Sequence, residues 1–221
     1  MKKTAILLGA SGLTGGLLLD QLINDKRYES IKLFSRSKLK GLPSKVTQFI
    51  GDLLELEQFK SDFTGDQVFC CIGTTKAKTP NKDQYKKIDY GIPVSAAKLA
   101  KANGIETFIV ISALGADAKS TVFYNKTKGE MERDVLKQDI KKTVILQPSL
   151  IGGRREERRT LEMIGKVLFK VIQPLFFGKL KKFKITDPKQ MAKAMIIIAN
   201  STNHRDVIIT SNDIKRITKN N

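Results

Sequence analysis

The stretch that most restricts the fold is Gly9-Ala10-Ser11-Gly12-Leu13-Thr14-Gly15, because of where it lies. Before it comes a run that reads as a strand, Lys3 to Leu8, and after it Thr14 to Asn24 carries Leu17, Leu18, Gln21 and Leu22 at helical spacing. A strand that turns this tightly into a helix presents unpaired backbone N–H groups and the positive end of the helix dipole, both of which suit phosphate. Glycine permits the tight turn and the close approach of a pyrophosphate to the backbone. Gly9, Ser11, Gly12, Leu13, Thr14 and Gly15 are therefore the expected dinucleotide contacts, with a packing turn that holds no ligand as the bland alternative.

Strands and helices then alternate almost to the end of the chain. Ile31 to Ser35, Val46 to Ile50, Gln67 to Ile72, Phe108 to Ile111 and Thr143 to Gln147 read as further strands, and Val207 to Thr210 as a late one. Between them, Leu54 to Asp62, Asp83 to Asn103, Ser120 to Lys137, Leu161 to Val171 and a segment from Thr186-Asp187-Pro188 to Asn200 read as helices. Gly91 and Pro93 mark an irregular point in the second of these. The pattern predicts an α/β fold, a Rossmann-type doubly wound parallel sheet with a small C-terminal extension. One domain over 1–221 is expected, with 149–221 as the substrate-side extension.

The chain of 221 residues carries 40 Lys and Arg against 22 Asp and Glu, a formal net charge of +18. Such a charge can attract nucleic acid, an anionic membrane or phosphorylated ligands. Here the cations fall in separate groups, Arg36 to Lys45, Lys76 to Lys87, Arg154 to Arg159 and Lys179 to Lys184, without interleaved aromatics. That distribution reads as solvated surface, so neither a specific nucleic acid nor a membrane partner is expected. Cys70 and Cys71 are adjacent in an apolar run, where neighbouring side chains point to opposite faces of a strand. With His204 the single histidine, no metal set is evident, and two buried thiols fit a cytoplasmic chain.

Cofactor choice is written after the second strand. An acid there would bond the ribose 2′-hydroxyl of NAD, but Ser35-Arg36-Ser37-Lys38 offers cations instead. Arg36 and Lys38 suit a 2′-phosphate, so NADP(H) is expected over NAD(H), unless Arg36 is simply a solvated loop charge. Asp52, with Leu53 beside it, is placed to bond adenine or to cap a helix.

Tyr124 and Lys128 are four apart on the helix after the fifth strand and share a face, and Ser112 ends that strand. A tyrosine near an ammonium can exchange a proton with a substrate oxygen while hydride moves at the adjacent carbon. On Leu8 to Gly15, Ser35-Arg36, Cys70-Cys71-Ile72-Gly73-Thr74-Thr75, Ser112 to Asp117 and Tyr124-Asn125-Lys126-Thr127-Lys128-Gly129-Glu130, the chain resembles the short-chain dehydrogenase/reductase superfamily. Within it the resemblance is to the atypical branch of Tat-interacting-protein-like and NmrA-like proteins.

That resemblance implies that Tyr124 is the general acid/base, that Lys128 holds the nicotinamide ribose and lowers the tyrosine pKa, and that Ser112 bonds the substrate oxygen. It further implies that Gly73 and Thr74 line the cofactor groove and that Pro148 with Ser149 contacts the nicotinamide amide. Two positions depart from the pattern. Ala113 stands where many relatives have a second serine, and Asp89 stands near the asparagine that supports the lysine through water.

The expected activity is an NADP-dependent oxidoreductase acting on a carbonyl or alcohol small molecule. A cofactor-sensing regulator without turnover is the first rival. A nucleotide-sugar epimerase is a weaker one, because only about seventy residues follow the sixth strand. Substrate and oligomeric state are not written in any motif.

Overall fold

The computed structural model describes residues 2–149, 151, 186–202 and 206–219. The expected helix over Leu161 to Val171, the cations of Arg154 to Arg159 and Lys179 to Lys184, and His204 lie outside the described residues.

Seven strands form one sheet in the order β3-β2-β1-β4-β5-β6-β7. They are β1 (Lys3–Leu8), β2 (Tyr28–Ser35), β3 (Val46–Ile50), β4 (Gln67–Cys70), β5 (Thr107–Ile111), β6 (Lys142–Gln147) and β7 (Ile208–Thr210). Every pairing is parallel. The helices are α1 (Leu13–Asn24), α2 (Lys82–Lys86), α3 (Ile92–Ala102), α4 (Phe123–Leu136), α5 (Pro188–Asn200) and α6 (Ser211–Lys219), with a 3₁₀ stretch over Leu53–Phe59.

The strands are apolar on both sides because both faces are covered. Ala5, Leu7, Phe69, Ile109, Val144 and Leu146 point into a core shared with α1 and α5. Their neighbours Ile6, Leu8, Val68, Phe108, Val110 and Ile145 point into the other, shared with the 3₁₀ stretch, α3 and α4. Burial on both faces explains why these segments read as continuous apolar runs rather than alternating ones. The chain order reverses between β1 and β4, and the crevice that ligands use in such sheets opens there, beyond the carboxyl ends of the strands.

Several bounds differ from the sequence reading. The expected single helix over Asp83 to Asn103 is α2 and α3 joined by a π-helical turn at Lys87–Gly91. There Ile92 N–H reaches back to Lys87 O, and Pro93, at the start of α3, brings no donor to continue the ladder. β2 begins earlier than expected, at Tyr28, because that ring is buried and its hydroxyl donates to Gln67 Oε1 at 2.7 Å. The helix expected from Ser120 starts at Phe123. Helix α6 has no counterpart in the sequence reading.

Candidate active site

The Gly-rich turn is shaped by contacts that exclude side chains. Gly9 has φ +88°, a region L-residues rarely adopt, and a Cβ on it would lie 2.6 Å from Cys71 O. A Cβ on Gly15 would run into Gly9 O. Gly12 caps α1 without any side-chain bond, and no acid sits in the first turn. Ser11 and Gly12 are exposed, whereas Thr14 and Gly15 are buried beneath them. Gly12 N–H is taken by Gly9 O at 3.0 Å, so a phosphate would meet the N–H groups of the first turn of α1, with no competing carboxylate there, which fits an NAD(P) pyrophosphate.

At the end of β2, Ser35 is buried and its Oγ donates to Ser37 O at 2.9 Å. That bond folds the loop so that Arg36 and Lys38 are exposed, and neither makes an ion pair among the described residues. Asp52 Oδ1 accepts from Leu54 N at 2.9 Å and caps the 3₁₀ stretch, while Leu53 is buried in the core. The cap is made, and the second carboxylate oxygen stays free of it.

Beyond β4 the chain brings together residues distant in sequence. Gly73 faces Asp89 and Lys128; a Cβ there would sit 3.6 Å from Asp89 Oδ1 and 3.9 Å from Lys128 Nζ. Lys128 Nζ lies 2.9 Å from Asp89 Oδ1, and the two side chains are 4% and 1% exposed. Asp89 Oδ2 also accepts Thr74 N–H at 2.7 Å. Where the resemblance implies an asparagine acting through water, this chain has a direct ion pair.

Tyr124 is 39% exposed at the mouth of the site, with the Tyr85 ring edge-on at 6.5 Å. Tyr85 is fixed by its hydroxyl, which donates to Thr74 O at 3.2 Å. The pKa of Tyr124 is raised: burial raises it, Lys128 opposes that, and Asp89 adds to it. Water at the exposed edge limits the effect of burial. Lys128 does lower the tyrosine, as the resemblance implied; burial, the largest effect, outweighs it, and the counterion Asp89 takes back part of what the cation supplies. Burial alone would lower Lys128, but Asp89 and Tyr124 outweigh burial and hold it above the ordinary lysine value.

Ser112 is buried, and among the described residues its Oγ has no well-formed hydrogen bond. It lies close enough to Glu132 to oppose the rise that burial imposes on that carboxyl. Glu132 is held by Gln147 Nε2, 2.9 Å from each carboxylate oxygen. A buried hydroxyl without a settled partner can turn to a substrate oxygen. The loop after β5 is tied to the end of β6 by Leu114 N–H on Pro148 O at 2.9 Å, which places Pro148 beside Ser112.

Sequence reasoning missed Glu132, although Tyr124, Lys128 and Glu132 follow one another at intervals of four. It also missed Tyr85 and Gln147, for which no sequence signal exists.

Gly129, next to Lys128, lets that loop lie on α4, since a Cβ there would run into the backbone of Asp117 and Ala118. Alanine is better than glycine within a helix by about 1 kcal/mol. A clash against main chain outweighs that, because overpacking costs about 1–3 kcal/mol and backbone cannot rotate away. Gly129→Ala is therefore expected to unfold at lower denaturant concentration than wild type. A more stable variant would contradict the packing described.

Residues 9–162 match the model of a family described as NAD(P)H-binding. The chain belongs to this family, as an atypical short-chain dehydrogenase/reductase. Protein FMP52, mitochondrial, of Meyerozyma guilliermondii is 32% identical over 97% of this chain and 95% of its own length. Protein HTATIP2 of Rattus norvegicus is 32% identical over 76% of this chain and 70% of its own.

Among solved structures, a UDP-N-acetylglucosamine 4-epimerase of Methanobrevibacter ruminantium superposes with TM-score 0.71 at 18% identity, covering 95% of this chain and 76% of its own. A short-chain dehydrogenase/reductase superfamily protein of Agrobacterium tumefaciens with bound NAD gives 0.69 at 12%, over 94% and 76%. At such identities these neighbours show the fold, a Rossmann-type sheet, and no more.

The expectation of a cytoplasmic chain is overturned. The FMP52 relatives from Scheffersomyces stipitis, Debaryomyces hansenii, Candida albicans and others are named as mitochondrial proteins. Cys70 is fully buried and burial pushes its thiol up to about 11, so a thiol this inert does not report a compartment. Among the described residues no helix is long and apolar enough to cross a membrane, and no group of three or more His, Cys, Asp or Glu could hold a metal.

Proposed function

We propose that the chain is an NADP-dependent oxidoreductase that interconverts a carbonyl and an alcohol on a small molecule. What supports this reading is Tyr124 with Lys128 one turn away on α4 and close enough to act on its hydroxyl, together with Ser112 buried just past the end of β5. The carbonyl carbon takes a hydride from the reduced nicotinamide, which is thereby oxidised, and everything else falls to the chain's own residues. The glycine turn and the N-terminal turn of α1 would hold the pyrophosphate. Lys128 and Thr74 would line the ribose site, and Ser112 Oγ and Tyr124 Oη would hold the substrate oxygen. Tyr124 gives its proton to that oxygen as negative charge develops there, or takes one in the reverse direction.

The partner is a small molecule, with no specific nucleic acid and no membrane. The intact trio supports turnover over cofactor sensing, since a sensor needs no proton donor beside the ribose.

Arg36 and Lys38 support NADPH, because neither has an ion-pair partner among the described residues and both are exposed in the loop that follows β2. Fluorescence titration is expected to show NADPH bound at least about tenfold more tightly than NADH, or about 1.4 kcal/mol. Arg36→Ala should remove most of that preference. Equal affinities in wild type, or a preference untouched by Arg36→Ala, would overturn the assignment.

A further inference from the structure

Lys128 is the cation that would draw Tyr124 toward its phenolate, yet its charge is matched inside the protein. Asp89 Oδ1 lies 2.9 Å from Lys128 Nζ, and the pair is almost wholly out of water. Asp89 cannot easily turn away. Its other oxygen is held by Thr74 N–H, and the π-helical turn fixes its backbone. Seen from a third group, two opposite charges at contact act as a dipole, whose effect falls off faster with distance than that of a lone charge.

We propose that Asp89 is a positioning residue that matches the charge of Lys128 and so keeps Tyr124 a proton donor, which commits the site to reducing carbonyls rather than oxidising alcohols. The proposal rests on the reading of Tyr124 as the proton-transfer residue. Reduction starts from the phenol, and oxidation starts from the phenolate. In reduction the carbonyl carbon gains the hydride, the π pair moves to oxygen, and that oxygen takes the Tyr124 proton. The phenolate then regains a proton from water, which reaches it because the residue is 39% exposed.

The other ionisable groups around the pair do not reverse this. Tyr85 from α2 and Cys70 from β4 are both raised by burial and stay neutral. Glu132, one turn beyond Lys128 on α4, is raised by burial, and whatever negative charge it keeps acts in the same sense as Asp89. Of the cations on α2, Lys86 is paired to Glu130 at 2.6 Å and 46% exposed, and Lys82 is exposed with its ammonium over the Phe123 ring at 5.6 Å.

The test is an ultraviolet titration of tyrosinate in the full chain, with the Tyr124 signal taken as the part lost in Tyr124→Phe. In wild type Tyr124 is expected to titrate above the ordinary tyrosine value of about 10. Asp89→Asn keeps an acceptor for Thr74 N–H but leaves Lys128 unmatched. It should lower the Tyr124 midpoint by about one unit or more, a tenfold gain in phenolate at fixed pH. Adding Lys128→Met should return the midpoint toward wild type, which a merely structural role of Asp89 would not do. In turnover, the alkaline limb of the reduction profile should move to lower pH by the same interval.

A wild-type midpoint at or below the ordinary value, or one unmoved in Asp89→Asn, would overturn the proposal. Should Asp89→Asn fail to fold, the Asp89→Asn/Lys128→Met variant decides: a Tyr124 midpoint close to wild type is expected, and one clearly above it would show Lys128 acting unmatched in wild type and overturn the proposal. The titration needs neither substrate nor cofactor, so its failure would remove the role of Asp89 and leave the oxidoreductase reading to its own test.

Discussion

Replacing Tyr124 with phenylalanine is expected to lower turnover by about 10²- to 10⁴-fold, the contribution of a general acid or base placed at the reacting atom. The fold and the NADPH affinity should survive. Tyr124 is partly exposed and its ring packs edge-on against Tyr85, a contact that phenylalanine keeps. The hydroxyl alone is removed, at the mouth of the site, where water can replace it without leaving a buried polar group unpaired. Steady-state NADPH consumption with a wild-type substrate, beside a cofactor titration, checks both halves. Unchanged turnover would show that the proton comes from elsewhere.

Lys128→Met should damage stability as well as rate. Removing the ammonium leaves the Asp89 carboxylate 1% exposed with Thr74 N–H as its one remaining described partner. Breaking one side of a buried pair costs about 3–5 kcal/mol, because the surviving charge is stranded in a poorly polarisable site. Adding Asp89→Asn should recover most of that loss, since a neutral amide pays far less for burial. Denaturant unfolding of the two single variants and the double variant closes the cycle. If Lys128→Met were as stable as wild type, Asp89 would have another partner in solution. The stability supplied by Lys128 has a direction in pH as well. Its folded pKa is raised, so its contribution is full at neutral pH and is lost as pH climbs through that raised value.

The sheet was legible because its strands are buried on both faces and so appear as apolar runs bounded by glycine, proline or charge. Lys3–Leu8 and Val46–Ile50 fall where the sequence places them. The glycine turn was legible for a related reason: few other residues fit between Gly9 O and the start of α1. What escaped depends on contacts that the local sequence does not contain. Ser211–Lys219 carries just two apolar residues, Ile214 and Ile217, and the packing of both against the core is what favours a helix there.

The Asp89–Lys128 pair joins a π-helical turn to α4, and nothing near either residue announces the other. Asp89 was visible as a departure from the asparagine that the resemblance implies. That departure reads differently once the carboxylate is seen touching the lysine. The sequence suggested a lysine that lowers the tyrosine, and in the structure that lysine does so while being answered by an acid. Glu132 was open to detection by its spacing from Tyr124 and Lys128, but beside Glu130 and Asp134 it reads as one more acid of a solvated face.

The most direct test of the central claim follows the transferred hydrogen itself. The full chain is incubated with NADPH bearing deuterium at its transferable position and a panel of ketones and aldehydes, and the products are read by mass spectrometry. An NADP-dependent carbonyl reductase leaves deuterium on the carbinol carbon of at least one product, and Tyr124→Phe slows that transfer in proportion to its turnover. NADPH bound tightly with no deuterium delivered to any member of the panel would contradict the account and favour a protein that senses the cofactor.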